Sequence, residues 1–269
     1  ILEIVVFVCG AVVMIFELVG SRVIAPYVGT SIYAWSSLIG VILASLSIGY
    51  YFGGYLADKR PSIRLMALII IFSAIAIAFS AFTKNIFSMV ISTFEVILEI
   101  KSIIISLILF APASFLLGMI SPYAVRLKMN DIIKSGKTVG NLYAISTAGS
   151  IFGTFLAGFY IIPNFGSTNS LIILSVVLLL MAVLMLLGTR MGRLGKVAVF
   201  FLIIFLGLTQ VVSIVEQKMF VADVDTQYNR ILIFHATDRT TKKPILALAT
   251  DPYGTQAAMF TDGTNDLVF

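Results

Sequence analysis

Seven apolar stretches, each near twenty residues long, occupy most of the chain: residues 4–22, 36–56, 65–82, 102–120, 141–162, 170–187 and 197–215. At about 1.5 Å of rise per residue, a helix of that length crosses roughly 30 Å of hydrocarbon. The stretches are continuous rather than alternating, which predicts membrane helices and not barrel strands. Residues 85–100 are also apolar, but they are shorter and carry Glu95 and Glu99. That pattern predicts an interfacial helix lying along the bilayer. After residue 215 the pattern changes to short apolar runs separated by turn-forming segments. Residues 228–235, 245–250 and 257–261 read as strands, with turns at 237–243, 251–254 and 262–263. The expected fold is an all-α polytopic membrane bundle of about seven transmembrane helices over residues 1–216, followed by a small antiparallel β segment over 217–269. The last strand-like run is still open at Phe269, so the body of a soluble domain is expected beyond it.

Composition agrees with this pattern. Hydrophobic residues make up 59% of the chain and charged residues only 12%, about half the share of a soluble domain. Mean hydropathy is +1.07. The net charge of +5 does not indicate nucleic-acid binding, because ten of the 18 basic residues fall in three short loops. These are Lys59, Arg60 and Arg64; Arg126, Lys128, Lys134 and Lys137; and Arg190, Arg193 and Lys196. The intervening loops are almost uncharged, so the even-numbered spans are expected to end in the cytoplasm of a multi-pass cell-membrane protein. Seven spans would then place the C-terminal segment outside. Cys9 is the only cysteine and His235 the only histidine. An intramolecular disulfide and a multi-cysteine zinc site are thereby excluded, and no metal site is expected.

Small residues recur at helical spacing in two stretches. Ser36, Gly40 and Ala44 are followed by Gly49 and Gly53, while Gly149, Gly153 and Ala157 repeat the pattern. Such stripes let helix backbones approach closely where no hydrophobic force acts between helices. Trp35 and Tyr33 suit an interfacial anchor. Ser121-Pro122-Tyr123 and Pro163 are expected helix stops. Glu17 and Arg22 are the intramembrane polar candidates. They stand five residues apart, so each is expected to reach another helix rather than its neighbour. A proton or cation site that suits a polyamine path is one reading of Glu17, and a structural hydrogen-bonded group is the other. Gly54 and Asp58, followed by basic residues, resemble the loop between the second and third helices of major-facilitator transporters, which implies a cytoplasmic hinge; Asp58 can cap the next helix or pair across the bundle. No Ser-His-Asp set, phosphate-binding loop or paired-carboxylate motif occurs. No Gly-x-Gly-x-x-Gly follows a strand, so an adenosyl cofactor is not bound by that route.

The chain resembles the N-terminal membrane module of bacterial and archaeal fused major-facilitator/spermidine synthase proteins over nearly all of residues 5–234. The likeness rests on Phe16-Glu17-Leu18-Val19-Gly20-Ser21-Arg22, Tyr27-Val28-Gly29-Thr30-Ser31-Ile32-Tyr33, Gly54 to Asp58, and the run from Val139 to Ser150. In that family the membrane module precedes an aminopropyltransferase domain, which opens with a small β-sheet and carries an aromatic-Gln-x-Ile pattern. Tyr228-Asn229-Arg230-Ile231 is similar, with Asn229 in the glutamine's place. A later Asp-Gly-x-x-Gln turn is approximated by Asp251-Pro252-Tyr253-Gly254-Thr255-Gln256, which has one extra residue before Gln256. The resemblance implies that Asn229 and Gln256 touch decarboxylated S-adenosylmethionine, the aminopropyl donor and co-substrate of the parent, and that a polyamine accepts the group. Acidic residues acting as general base on the amine would lie beyond Phe269. These residues alone are therefore expected to bind no cofactor and to be inactive in the transfer. A transporter-like module without transferase activity is the alternative. A scaffold subunit, paired with a companion chain at its β edge or with itself, is the third.

Overall fold

A computed structural model describes residues 1–29, 31–92, 94, 96–129, 135–187, 221–225, 230–237, 242–250 and 256–261. Six helices come first: α1 (Leu2–Val28), α2 (Ile32–Lys59), α3 (Ile63–Ser92), α4 (Leu98–Lys128), α5 (Ser135–Leu156) and α6 (Ile162–Leu187). A single π turn, Ala157–Ile161, joins the last two. Five helical segments among the described residues are long and apolar enough to cross a membrane. The fifth spans 52 residues, Gly136–Leu187, nearly twice the length of the others. It holds both expected stretches 141–162 and 170–187, and the chain reverses between them at Gly166. There φ is 69° and ψ is 179°, a backbone conformation open essentially to glycine alone. The expected seventh stretch, 197–215, lies outside the described residues.

Helix directions follow from the contacts. Glu3, at the start of α1, pairs with Lys128, at the end of α4. Tyr123 of α4 holds the α2–α3 connection through Arg60 and Ser62. At the opposite end, the Tyr27 hydroxyl donates to Asn85 Oδ1 at 3.0 Å. Gly149 and Gly153 of α5 lie against Phe7 and Ala11 of α1, so these helices run parallel. Ser175 of α6 donates to the Ala74 carbonyl while Ser167 meets Lys84, so α6 runs antiparallel to α3. The helices thus alternate in direction, and the first two basic loops sit at one end.

The packing has an internal symmetry. The closest pairs are α2 with α4 and α1 with α5, then α3 with α4 and α1 with α6, while α3 and α6 pair with each other. Exchanging α1–α3 with α4–α6 maps each of these pairs onto another in the set. Because α1 and α4 run in opposite directions, this pattern of helix pairs is the one that an inverted repeat would give. Both main seams depend on glycine. Gly49, Gly53 and Gly118 bring α2 onto α4, and Gly10, Gly149 and Gly153 bring α1 onto α5. The Gly149 and Gly153 stripe therefore packs as expected. The Ser36, Gly40 and Ala44 stripe does not, for those residues are exposed and nothing lies within 4 Å of a Cβ built on Gly40. A single apolar cluster fills the bundle, with Phe16, Leu38, Ile70, Phe110 and Tyr123 fully buried.

Two expectations are corrected. Residues 85–100 form no separate interfacial helix: α3 continues through Ser92 and α4 starts at Leu98. A run of Ile, Phe and Met extends α3 without a breaker, and it needs no flat orientation. Pro122 does not stop a helix either, since α4 runs through to Lys128; Pro163 does lie at a helix end, three residues before the reversal at Gly166.

The C-terminal part forms a four-stranded antiparallel sheet in the order β1 (Ala222–Asp225), β2 (Arg230–Thr237), β3 (Pro244–Ala249) and β4 (Ala257–Phe260). Ala247 pairs with Phe234 on one side and Ala258 on the other. Ile245, Ala247 and Ala249 are buried in alternation with half-buried Leu246 and Leu248, the period-two pattern of a sheet with one covered face. The edge strand β1 runs beside α6.

Candidate functional site

One carboxylate well inside a membrane-length helix has no partner among the described residues. Glu17 lies past the middle of α1 and is half-buried. Among the described residues its carboxylate has no hydrogen bond and no ion pair. On the α1 surface, Gly10 meets Ser146 of α5, while Gly20 meets Phe110 of α4 and Leu38 of α2. At about 3.6 residues per turn, Glu17 falls between those two directions. It therefore looks towards the side of the bundle where α2 and α5 flank α1 and α4. Tyr50 of α2 and Tyr143 of α5 are both exposed. A carboxylate placed there can accept hydrogen bonds from an ammonium or hold a proton. Arg22 does not neutralise it, because Arg22 is half-buried and engaged elsewhere.

Lys84 is the charged residue that sequence reasoning missed. It is 3% exposed, in the C-terminal third of α3, and its ammonium donates to Ser167 Oγ at 3.4 Å. The sequence places it one turn from Ser80 and one turn from Ser88, a polar stripe at i−4 and i+4. Ser80 donates to the Leu109 carbonyl of α4. Ser88 Oγ is buried with no partner among the described residues. The α3–α4–α6 seam is thus laced by hydroxyls, and Lys84 belongs to its closed end. An expected span end at residue 82 hid this, because it assigned Lys84 to a loop.

The candidate hinge is assembled as one of its two readings expected. Asp58 does not cap α3; it pairs with Arg126 Nε of α4 at 3.0 Å. Gly54 sits against Pro122, so α2 passes close to α4 just before the charged turn. Both partners of the pair are exposed, 74% for Asp58 and 44% for Arg126. Exposed pairs contribute less than about 1 kcal/mol. Asp58→Asn is therefore expected to leave thermal stability in detergent nearly unchanged, and a large drop in the melting midpoint would contradict the geometry.

Asn229 lies outside the described residues. Gln256 precedes β4; its amide Nε2 donates to Thr250 Oγ1 and its backbone N–H donates to the Leu248 carbonyl at 2.8 Å. These contacts close the end of the β3–β4 hairpin and leave Gln256 exposed. His235 is exposed on β2, and no cluster of three potential metal ligands occurs among the described residues. Comparison with protein families, curated proteins and solved structures finds no match to this chain.

Proposed function

We propose that this chain is the membrane module of a spermidine synthase-like, multi-pass cell-membrane protein, and that its bundle binds the amine side of that chemistry at Glu17. The observation that carries the reading is the Glu17 carboxylate on α1, which has no partner among the described residues. An ionised group inside a membrane bundle is costly unless it is paired or lines a polar path. An organic ammonium supplies the missing charge. The parent would transfer an aminopropyl group from decarboxylated S-adenosylmethionine to a polyamine. The sheet of β1–β4 supports that reading through its position after the bundle and its antiparallel order, as the resemblance implies for the opening of such a domain. Asn229 and Gln256 remain the proposed donor contacts.

The test is equilibrium binding of radiolabelled spermidine to the purified chain in lipid nanodiscs. Saturable binding is expected, and Glu17→Gln is expected to weaken it by about tenfold to a hundredfold, the equivalent of about 1.5–3 kcal/mol for a hydrogen bond to a charged group. Equal affinity in both proteins would remove Glu17 from the role.

A transporter-like module with no transferase activity is the second reading. The pattern of helix pairs favours it, since an inverted repeat recurs where a site near the membrane midplane is exposed to alternate sides. Spermidine uptake into proteoliposomes separates it from a static binding module.

A further inference from the structure

Among the described residues nothing covers the α2–α5 side of the bundle, and its shape says what fits it. On α2, Gly40, Ala44, Tyr51 and Tyr55 are exposed and lie on one face; on α5 and the π turn, Ala144, Ala148, Phe155 and Phe159 do the same. Both sets keep the spacing i, i+4, i+11, i+15, so each forms a straight stripe along its helix. The order of sizes is opposite. Along the chain, α2 runs from small to aromatic and α5 also runs from small to aromatic, but the helices point in opposite directions.

Depth in the membrane follows from the contacts with α1. Gly20 lies beside Leu38 of α2, and Phe7 and Ala11 lie beside Gly149 and Gly153 of α5. Extending both registers at the common rise of about 1.5 Å per residue puts Ala44 level with Phe155 and Gly40 level with Phe159. It likewise puts Tyr51 level with Ala148 and Tyr55 level with Ala144. Each small residue on one stripe thus has a large ring at its own depth on the other. Within one chain the two helices flank an opening and cannot use this match.

The geometry points to a second copy of this chain as the occupant. A two-fold axis normal to the membrane sets α2 of one copy antiparallel against α5 of its partner, and α5 against α2. The rings then enter the spaces over the small residues along both seams. The axis also keeps the basic loops of both copies on one side, as membrane topology requires. Small residues opposite large ones supply the close packing that drives helix association in lipid. The dimer encloses the opening that Glu17 faces and brings the two Glu17 residues to a common lumen. This deepens the reading of Glu17 as an ammonium site and rests on it: the ligand class becomes a diamine or polyamine held through separate nitrogens by two carboxylates.

The test is disulfide trapping between two differently tagged full chains co-expressed in membranes, each in a Cys9→Ala background. One carries Ala44→Cys and the other Phe155→Cys. Oxidation is expected to trap the mixed dimer in high yield, and neither chain alone should be trapped appreciably. A control pair on the opposite side, Phe72→Cys of α3 with Leu180→Cys of α6, is expected to give no mixed dimer. Absence of the mixed dimer, or equal yield from the control pair, overturns the interface and leaves amine binding by a single chain to stand or fall on the Glu17→Gln comparison. Spermidine stoichiometry of the trapped dimer decides the shared site. One spermidine per two chains supports it, and one per chain overturns it. A trapped dimer that binds none keeps the interface, but removes both the ammonium role of Glu17 and the shared site.

Discussion

Gly149→Leu is expected to unfold the α1–α5 half of the bundle, with loss of the monodisperse peak in detergent and a collapse of the melting midpoint. Gly149 is buried where α5 crosses α1. A Cβ built there falls within 3 Å of three Phe7 backbone atoms, and one on Gly153 meets the Ala11 backbone as closely. Backbone cannot rotate away as a side chain can, so the helices must separate. Overpacking a tight core costs about 1–3 kcal/mol and more where the obstacle is rigid. Separation also forfeits the dispersion contacts along the seam, and in lipid no hydrophobic force draws the helices back. Phe7 would lose its ring contact with Phe152, whose centroid is 5.9 Å away. The Ser150 hydroxyl would lose the Gly10 carbonyl, to which it donates at 3.2 Å. Gly140 on the same helix is the control. Nothing lies within 4 Å of its Cβ position, so Gly140→Leu is expected to be neutral or to stabilise through helix propensity by up to about 1 kcal/mol. Fluorescence-detected size exclusion and a thermal scan of the three proteins decide it; equal midpoints would mean that α1 and α5 do not cross at Gly149.

The two glycine stripes show how far the sequence reaches. Spacing alone identified Gly149 and Gly153 as a packing seam, because α5 has a second small-residue face only towards its start. On α2 two small-residue stripes coexist, one through Gly40 and Ala44 and one through Gly49 and Gly53. Both satisfy the same rule, and only the position of α4 selects the second. Membrane helices are apolar on every side, so the periodicity that orients a soluble helix is weak here. Length was legible for the same reason that orientation was not: hydrocarbon demands long apolar runs but does not say which residues meet. The reversal at Gly166 was expected from the break between two runs. The continuation of α3 past Lys84 was not, since a lysine reads as the end of a span when its burial against Ser167 is unseen. In the sheet, β2, β3 and β4 showed as β-branched or apolar runs. Strand β1, Ala222–Asp225, was missed because two of its four residues are aspartates, which are poor strand formers. It is held in place by its pairing with Arg230 to Ile233. Glu17 was legible as an oddity, but its lack of a partner is a property of the assembled bundle.

Tyr123→Phe is expected to lower stability clearly although it removes a single atom. The ring is fully buried near the end of α4. Its hydroxyl donates to the Arg60 carbonyl and accepts the Ser62 N–H at 3.1 Å. Residues 60–62 are the whole connection between α2 and α3, and Pro61 at its centre has no N–H to contribute. One phenol oxygen therefore satisfies a donor and an acceptor of a loop that has no helix of its own. Phenylalanine keeps the packing and deletes both bonds. A buried polar group left without a partner costs about 1–3 kcal/mol; Arg60 and Pro61 are exposed and Ser62 is half-buried, so water replaces part of what the phenol supplies and the loss amounts to about 1–3 kcal/mol. The exposed Asp58–Arg126 pair beside it contributes little by comparison, although it is the more conspicuous feature in the sequence. Two measurements separate the roles. The melting midpoint of Tyr123→Phe should fall well below that of Asp58→Asn. Hydrogen exchange at the Ser62 amide, slow in the parent chain, should become fast in Tyr123→Phe and stay slow in Asp58→Asn. A Tyr123→Phe protein with an unchanged midpoint and a protected Ser62 amide would show that the loop is held by something other than the phenol, and the joint between α2, α3 and α4 would have to be assigned to the glycine seam of Gly49, Gly53 and Gly118 alone.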